Sequence, residues 1–600
     1  MAAPFVFLDD ARRDGASAAR LYREPVEIVV ARRVEDVVPA LARLEELRRE
    51  GHHLAGHIAY EAGLALEPRL APLAPPRIGA AGPLLWFGAF TGFEEIAAPD
   101  VPAWLAREGH GPASVGPLDP AISTATYEQR FIALQQAIAA GDIYQANLTF
   151  PLVGSWRGDP LALYAALRPA AAAGYGGVIH DGSHWLLSLS PELFVALHAN
   201  GEPGGRATVK PMKGTRPRHA DPAADAAAAA DLATSIKDRA ENLMIVDLMR
   251  NDLSRVAEAG SVRVEAPYAI ESYPTVHQMV STVRAQLLPE HGALDLIRAL
   301  FPCGSITGAP KIRAMELIDQ TERDARGPYC GAIGRIDPAG DAAFNVAIRT
   351  LRLTTGENGR GRAVLGVGSA IVADSDGMTE WRECLVKGGF VRASAGGFDL
   401  VETMAFLPET GIPLLELHLE RAKHSATALG FAFDRHAIRN AIQALCFEAE
   451  APAKVRLSLA RSGAHALEIS AMPAILPDPA RCAVLRLPVD PADFRLCHKT
   501  TDRGFYDEAR RAAQGAGADE ALLLREDGLL TEGSFTNLFV ERGGVLLTPP
   551  AARGLLPGVL RRSLLEAGAA READLTLDDL ADGFLIGNAL RGLIPARLLA

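Results

Sequence analysis

The chain has 600 residues, 48% of them hydrophobic and 22% charged, with a net charge of −12. That length exceeds what one hydrophobic core organises, so two or more domains are expected. The acidic balance, with a pI near 5.7, argues against nucleic-acid binding, which needs a basic stripe, and no run of ~18 or more apolar residues offers a membrane span.

The segment from Met1 to Asp10 has neither a basic n-region nor a long apolar run, so it does not read as a signal peptide. Six scattered cysteines with no CxxC pair fit reduced thiols in a cytoplasm better than disulfides or a zinc site. Residues 1–120 mix short strands (Val26 to Val30, Leu84 to Phe90) with a helix at Val34 to Arg49, and read as scaffold. A helix from Ser123 to Ala140 stops at Gly141, and an alternating strand begins at Asp142. Strands are expected at Trp185 to Leu197, Ala207 to Val209 and Phe344 to Thr350, with a long Ala-rich helical stretch from Pro222 to Val256. Mixed α and β structure continues through residues 121–390. The small residues 391–397 (VRASAGG) read as a linker, and residues 398–600 suffice for a further domain.

Pro211-Met212-Lys213-Gly214-Thr215-Arg216 is the centre of the first part. Gly214 permits a tight turn. A lysine held beside apolar strands can be desolvated, which lowers its pKa and makes it a usable nucleophile. Asp238 with Glu241, and Glu380 with Glu383, are acidic pairs at i,i+3. That spacing puts both carboxylates of a pair on one helix face, and two such faces would make an oxygen-rich site of the kind Mg²⁺ prefers. Taken alone, each pair is more often a solvated surface, and Glu383 has Lys387 at i+4. The Phe301–Lys311 turn, Arg349 and the Gly366-Val367-Gly368-Ser369 strand end suit a small carboxylate.

In this order the segments SLSPELF, PMKGTRPR, DRAENLMIVDLMRNDL, GSITGAPK, IRT and GVGSAIVADSD resemble the chorismate-utilising enzymes, which include anthranilate, aminodeoxychorismate, isochorismate and salicylate synthases. The resemblance implies two large antiparallel-rich sheets with flanking helices. It implies Glu241 and Glu383 as Mg²⁺ ligands, with Asp238 and Glu380 in support. Tyr329, Arg349, Gly366 and Gly368 would hold a substrate carboxylate, His277 and Ser305 would line the pocket, and Glu192 would be a general acid. Aminodeoxychorismate synthases carry lysine at the position of Lys213, where anthranilate synthases carry alanine. Hydrolytic members carry lysine where this chain has Gln145.

FDLVETM, HLERAKHSATALGF, HKTTDRGFYDEAR, TEGSFTNLFV and LLPGVLRRSLL resemble the fold-type IV, class IV aminotransferase-like enzymes of pyridoxal 5'-phosphate. By that resemblance Lys499 anchors the cofactor and shuttles protons, and Glu532 pairs with the pyridinium nitrogen. Arg421 and the Gly558-Val559-Leu560 backbone would hold the phosphate, and Asn588 with Ala589 matches the second phosphate or substrate loop.

The expected fold class is therefore α+β multidomain: a chorismate-utilising two-sheet sandwich fused to a fold-type IV pyridoxal-phosphate domain. The implied activity is cytoplasmic, bifunctional synthesis of 4-aminobenzoate, by amination of chorismate at C4 and then elimination of pyruvate. The alternatives are an anthranilate synthase-like part fused to a branched-chain or D-amino acid aminotransferase, and a non-catalytic fusion. No glutaminase segment is found, which implies a separate glutamine amidotransferase subunit or free ammonia. A homodimer through the pyridoxal-phosphate domain is a further implication of that resemblance.

Overall fold

Alternation of apolar and polar side chains, a period-two pattern, marks strands that are interspersed with helices through the first half of the chain. The computed structural model describes residues 3–599 apart from 74–81, 112, 200, 202, 220, 274–275, 357–359, 396 and 448. The chain divides into two units, Met1–Gly396 and Gly397–Ala600.

The first unit contains an 11-stranded and a 10-stranded sheet. Among the described residues every pairing in both is antiparallel, the longest running from Arg360 opposite Arg157 to Ile371 opposite Ala146. The 10-stranded sheet packs its apolar face (Phe87, Phe194, Phe344) on helices that contribute Leu44, Met249 and Leu300 to one buried core.

Two segments expected as single strands are broken, and the breaks matter. His184–Ser190 lies in the larger sheet and Leu193–His198 in the smaller. Pro191, which has no N–H to give a ladder, and Glu192 make the crossover. Ala342–Val346 likewise belongs to the smaller sheet and Thr350–Thr355 to the larger. Arg349, expected at the end of a strand, instead sits in that second crossover with a left-handed φ of 48°. The crossovers are tied side by side. Val346 N–H donates to Glu192 O at 3.1 Å, Leu189 N–H donates to Arg349 O at 3.1 Å, and Ser190 Oγ donates to Val346 O at 2.6 Å.

The Ala-rich stretch forms two helices, Pro222–Thr234 and Ile236–Ser254. Ser235 divides them because its backbone is extended and its side chain accepts from Asp238 N–H, an N-cap. Lys213 lies on an edge strand, Met212–Pro217, beside Val276–Leu287. The register slips between Met212 and Thr215, and Gly214, at φ 80°, forms the bulge. The expected linker at residues 391–397 is overturned for its first part. The helix Gly377–Ala395 continues through it, because Val391 is buried and nothing before Gly396 breaks a helix.

In the second unit, Leu400–Phe406, Ala453–Leu459 and His465–Ala471 form a 3-stranded antiparallel sheet, covered by the helices Leu415–Leu429 and Arg435–Phe447. An 8-stranded sheet mixes parallel and antiparallel pairs around Leu522, Leu538 and Ile586. The Lys499 segment is pinned to the small sheet, since Val401 N–H donates to Lys499 O at 2.9 Å.

One buried ion pair knits the first unit together behind its crossovers. Arg326 is clamped by Glu322 at 2.8 and 2.9 Å, and also donates to Ile306 O and Asn147 O. Removing one partner of such a pair leaves an uncompensated buried charge. Glu322→Ala is therefore expected to destabilise this unit by about 3–5 kcal/mol in chemical denaturation, and a loss below about 1 kcal/mol would contradict the pair's role.

Candidate active sites

Glu192 and Lys213 face each other in the first unit. Glu192 is buried. Its Oε1 accepts from Ser305 Oγ at 2.8 Å, and Ser305 rides on the Phe301–Lys311 turn, as expected. Burial pushes the Glu192 carboxyl up to about 7, against the smaller opposing pull of Ser305 and of the Lys213 charge. At neutral pH it exists as both acid and carboxylate. Lys213 is half-buried, and burial lowers its pKa from the ordinary lysine value, with Glu241, Glu192 and Glu383 pulling the other way and Lys387 adding to the depression. The net effect is an amine that gives up its proton more readily than an ordinary lysine.

Glu241 and Glu383 come from the helices Ile236–Ser254 and Gly377–Ala395, and both act on Lys213. Burial raises the pKa of Glu241, and the Asp238 and Glu380 carboxylates raise it further. Glu380 is raised by burial and by Glu383, while it accepts from Ser375 Oγ at 2.7 Å. For Glu383 burial is outweighed by Lys387, Lys213 and Lys237, so its pKa falls. Glu241, held above its usual pKa among crowded carboxylates, is a group a divalent cation would relieve, and Glu383 supplies a second carboxylate oxygen donor of the kind Mg²⁺ takes. Among the described residues no three His, Cys, Asp or Glu side chains form a ready metal cage, so water or substrate oxygens would have to complete the coordination sphere. Asp238 is committed elsewhere, to Arg216 at 3.1 Å.

Lys387 was read only as an i+4 partner of Glu383, and that pair exists at 2.7 Å. The same amine also donates to Gly368 O at 2.9 Å, which links the acidic helix to the Gly366–Gly368 strand. A Cβ on Gly366 would lie 2.1 Å from Tyr329 Cγ, and one on Gly368 would lie 2.7 Å from Thr149 Cγ2. Glycine is required at both for close packing. Arg349 is largely enclosed, and burial is the single influence on it, lowering its pKa. A guanidinium with no acidic neighbour to balance it among the described residues is suited to an incoming carboxylate. Gln145 is fully buried, with both amide atoms unpartnered among the described residues.

His277 is a correction. Expected to line the pocket, it is spent in a separate network: Nδ1 pairs with Ser272 Oγ at 2.8 Å and Nε2 with Asp225 at 3.0 Å. The Asp225 carboxylate also binds Arg218. The alternation of its strand turns His277 toward the helix carrying Asp225, a choice its motif position does not reveal.

The second unit centres on Lys499. Burial, then Arg421, bring its amine down to about 7, with Arg503 and Arg456 adding to the effect and Glu402 opposing it. Glu532 is buried, and burial raises it to about 8. Its Oε1 accepts from Tyr506 Oη at 2.5 Å and from Leu556 N–H at 2.9 Å. Arg421 is held in a two-toothed pair with Glu402 at 2.6 and 2.8 Å, and reaches Pro557 O at 3.3 Å. That contact places it at the start of the helix Val559–Glu566, whose N-cap is Gly558. A Cβ there would lie 1.8 Å from Asn537 Oδ1. The N–H groups of Val559 and Leu560 fall in the first turn, where no intrahelical acceptor exists. These features fit pyridoxal 5'-phosphate: a deprotonatable amine, a buried carboxyl and an arginine beside a helix N-terminus.

Asn588 is a second correction. Its Nδ2 donates to Phe535 O at 3.0 Å and its Oδ1 accepts from Leu590 and Arg591 N–H, both at 3.0 Å. Its amide oxygen and one amide N–H are spent on holding a turn. Tyr506 and Glu402 had not been singled out, although both lie in quoted motifs (GFYDEAR and FDLVETM). Their roles depend on which side chain each one meets.

The family model described as chorismate binding enzyme matches residues 12–393, and that described as amino-transferase class IV matches residues 399–599. Aminodeoxychorismate synthase component 1 of Klebsiella aerogenes is 43% identical over 289 residues, 48% of this chain and 62% of that protein. The protein of the same name from Escherichia coli (strain K12) is 43% identical over 261 residues, 44% of this chain and 55% of that one. The chain thus spans less than two thirds of the length of these curated relatives. The crystal structure of anthranilate synthase component I from Streptococcus pneumoniae TIGR4 aligns with a TM-score of 0.53 at 26% identity, over 63% of this chain and 93% of that one.

The raised carboxyl makes a stability prediction. Glu192 moves from an ordinary 4.5 to about 7 on folding, so its contribution is fully present below pH 4.5 and is lost as pH rises through 7. One pKa unit is worth about 1.4 kcal/mol, so Glu192→Gln is expected to be more stable than the parent at pH 8, by up to about 3 kcal/mol. The gain should shrink toward pH 5 in denaturant titrations, and a gain independent of pH would contradict the assignment.

Proposed function

This chain belongs to the chorismate binding enzyme family, and we propose that it makes 4-aminobenzoate from chorismate in two steps, one in each unit. The observation that carries the first step is the desolvated Lys213 amine beside Glu192, within the acidic cluster. The printed name of the relatives, aminodeoxychorismate synthase component 1, supports the same reading.

In the first unit Arg349, beside Tyr329 and the Gly366–Gly368 backbone, binds a chorismate carboxylate. Glu241 and Glu383 would hold Mg²⁺, which supplies charge for a second carboxylate. Glu192 gives its proton to the C4 hydroxyl, which leaves as water while the Lys213 amine attacks C2. Ammonia then adds at C4 and expels the amine of Lys213, so that the ring gains an amino group, water is released and the enzyme is regenerated. General-acid help of this kind is worth about 10²–10⁴-fold. Gln145 cannot act as the base that would activate water at C2. The name "component 1" suggests that a separate glutamine amidotransferase subunit supplies the ammonia, with free ammonium as a substitute.

In the second unit Lys499, Glu532, Arg421 and the Val559 and Leu560 N–H groups would hold pyridoxal 5'-phosphate, which serves as an electron sink. Lys499, brought to about 7, moves the proton that lets the enolpyruvyl group depart as pyruvate. Glu532, which accepts from Tyr506 Oη, would pair with the cofactor ring nitrogen and keep it protonated. Among the described residues no helix is long and apolar enough to cross a membrane, and the proposed compartment is the cytoplasm.

Incubation with chorismate, Mg²⁺, ammonium and pyridoxal phosphate is expected to yield 4-aminobenzoate and pyruvate. Lys213→Ala should stop the reaction before any aminodeoxychorismate appears, whereas Lys499→Ala should let it accumulate. Anthranilate as the product would overturn the reading of Lys213. In Ser305→Ala the Glu192 carboxylate loses a stabilising donor, so its pKa rises and the alkaline limb of the first step should move to higher pH. An unmoved limb would remove Glu192 as the acid.

A further inference from the structure

Two sequence motifs contribute residues that the chemistry above does not use: Asp252 of MRNDL and Lys311 of GAPK. They meet at a cavity of about 280 Å³ in the first unit. Its lining includes none of Glu192, Lys213, Glu241 or Glu383. Most of the wall is apolar, with Leu66, Leu70, Phe301 and Met315 its larger side chains, and five lining residues are charged: Glu67, Asp252, Arg255, Arg298 and Lys311.

The charges are unequally committed. Lys311 Nζ is paired with Asp252 and donates to Leu300 O at 2.8 Å. Arg255 donates to Ala299 O at 3.3 Å. Arg298 Nε is buried, with no hydrogen-bond partner among the described residues. A buried donor left unmade is costly, so it marks a place where a partner belongs. Arg255, Arg298 and Lys311 face only Asp252 and Glu67 among the lining residues, which leaves a positive excess suited to a monoanion. An apolar cavity of ~150 Å³ accepts benzene, so this one has room for a single ring and its substituents.

The cavity also bears on the proposed active site. The helix Ile236–Ser254 carries Glu241 near its start and Leu248 and Asp252 at the cavity. The turn that presents Ser305 to Glu192 begins at Phe301 and Pro302, on the cavity wall. That turn is packed hard on the helix, because a Cβ on Gly304 would lie 2.5 Å from Leu248 Cδ2. An occupant touching Leu248, Phe301 and Pro302 presses on the support of Ser305.

We propose that this cavity is an effector site for a small carboxylic acid with a single-ring apolar body, its carboxylate on Arg298 and its ring among Leu66, Leu70, Phe301 and Met315. Benzoate and 4-aminobenzoate are the probes, titrated calorimetrically into the full chain. Kd is expected to rise at least tenfold in Arg298→Gln and in Leu66→Trp, which fills the space, and to stay unchanged in Arg349→Gln. Bound benzoate should also change the apparent KM for chorismate in the parent and not in Arg298→Gln. A Kd unmoved by both cavity variants, binding lost in Arg349→Gln, or no binding at all would overturn the site. Binding without any effect on KM would overturn its effector role. The calorimetric arm requires no turnover, so its failure is distinguishable from failure of the proposed activity.

Discussion

Removal of water from two charged groups at once is the constraint on which the first unit depends. Lys213 and Glu192 are both moved from their ordinary pKa values chiefly by burial, and each charge partly supports the other. Glu192 owes its place to the first of the two crossovers. The backbone bonds between Val346 and Glu192, and between Leu189 and Arg349, hold an acid and a cation at the point where the chain passes from one sheet to the other. Ladder pairing ends there, so side chains can converge that would point to opposite faces within a strand.

The two candidate nucleophilic lysines reach a similar condition by different means. Lys213 is surrounded by carboxylates that oppose its desolvation, so the same acids that would gather a metal ion also restrain the loss of its proton. Neutralising those acids would favour the free amine. Lys499 instead has Arg421, Arg503 and Arg456 adding to its depression, with Glu402 alone opposing. Glu402 is itself held down to about 2 by Arg421 and His418 despite its burial. It therefore stays ionised and locks the arginine that would meet a phosphate. In each unit a buried charge is tolerated because a second one is placed to use it.

These arrangements put cost into the fold. Glu192, Glu241, Glu380 and Glu532 are all raised by burial, and Arg349 holds a left-handed backbone with an unbalanced guanidinium. Perturbed groups of this kind cluster at functional sites. The surrounding packing must over-determine them, and the Arg326–Glu322 clamp, with its bonds to the Ser305 turn and the Asn147 strand, is one visible part of that support.

Much of this was legible in the sequence. The helices expected at Val34–Arg49 and from Ser123 to a stop at Gly141 are found as Val34–Arg49 and Thr124–Ala139. The order of motifs was enough to identify both families, because chemistry demands particular residue types at particular places along a chain. The rest belongs to three-dimensional neighbours. Period-two alternation is the same in one strand as in two strands of different sheets, so the breaks at Pro191–Glu192 and before Arg349 had no local signal. His277 and Asn588 stand in the right motifs, but Asp225, Ser272 and Phe535 claim them. The cavity at Arg298 unites four helices and a turn from separate parts of the chain. By itself the sequence determined which chemical groups are present and in what order. Only the tertiary structure decided which of them lose water and which are consumed by neighbours, because desolvation and hydrogen-bond competition depend on distances between residues that chain order does not set.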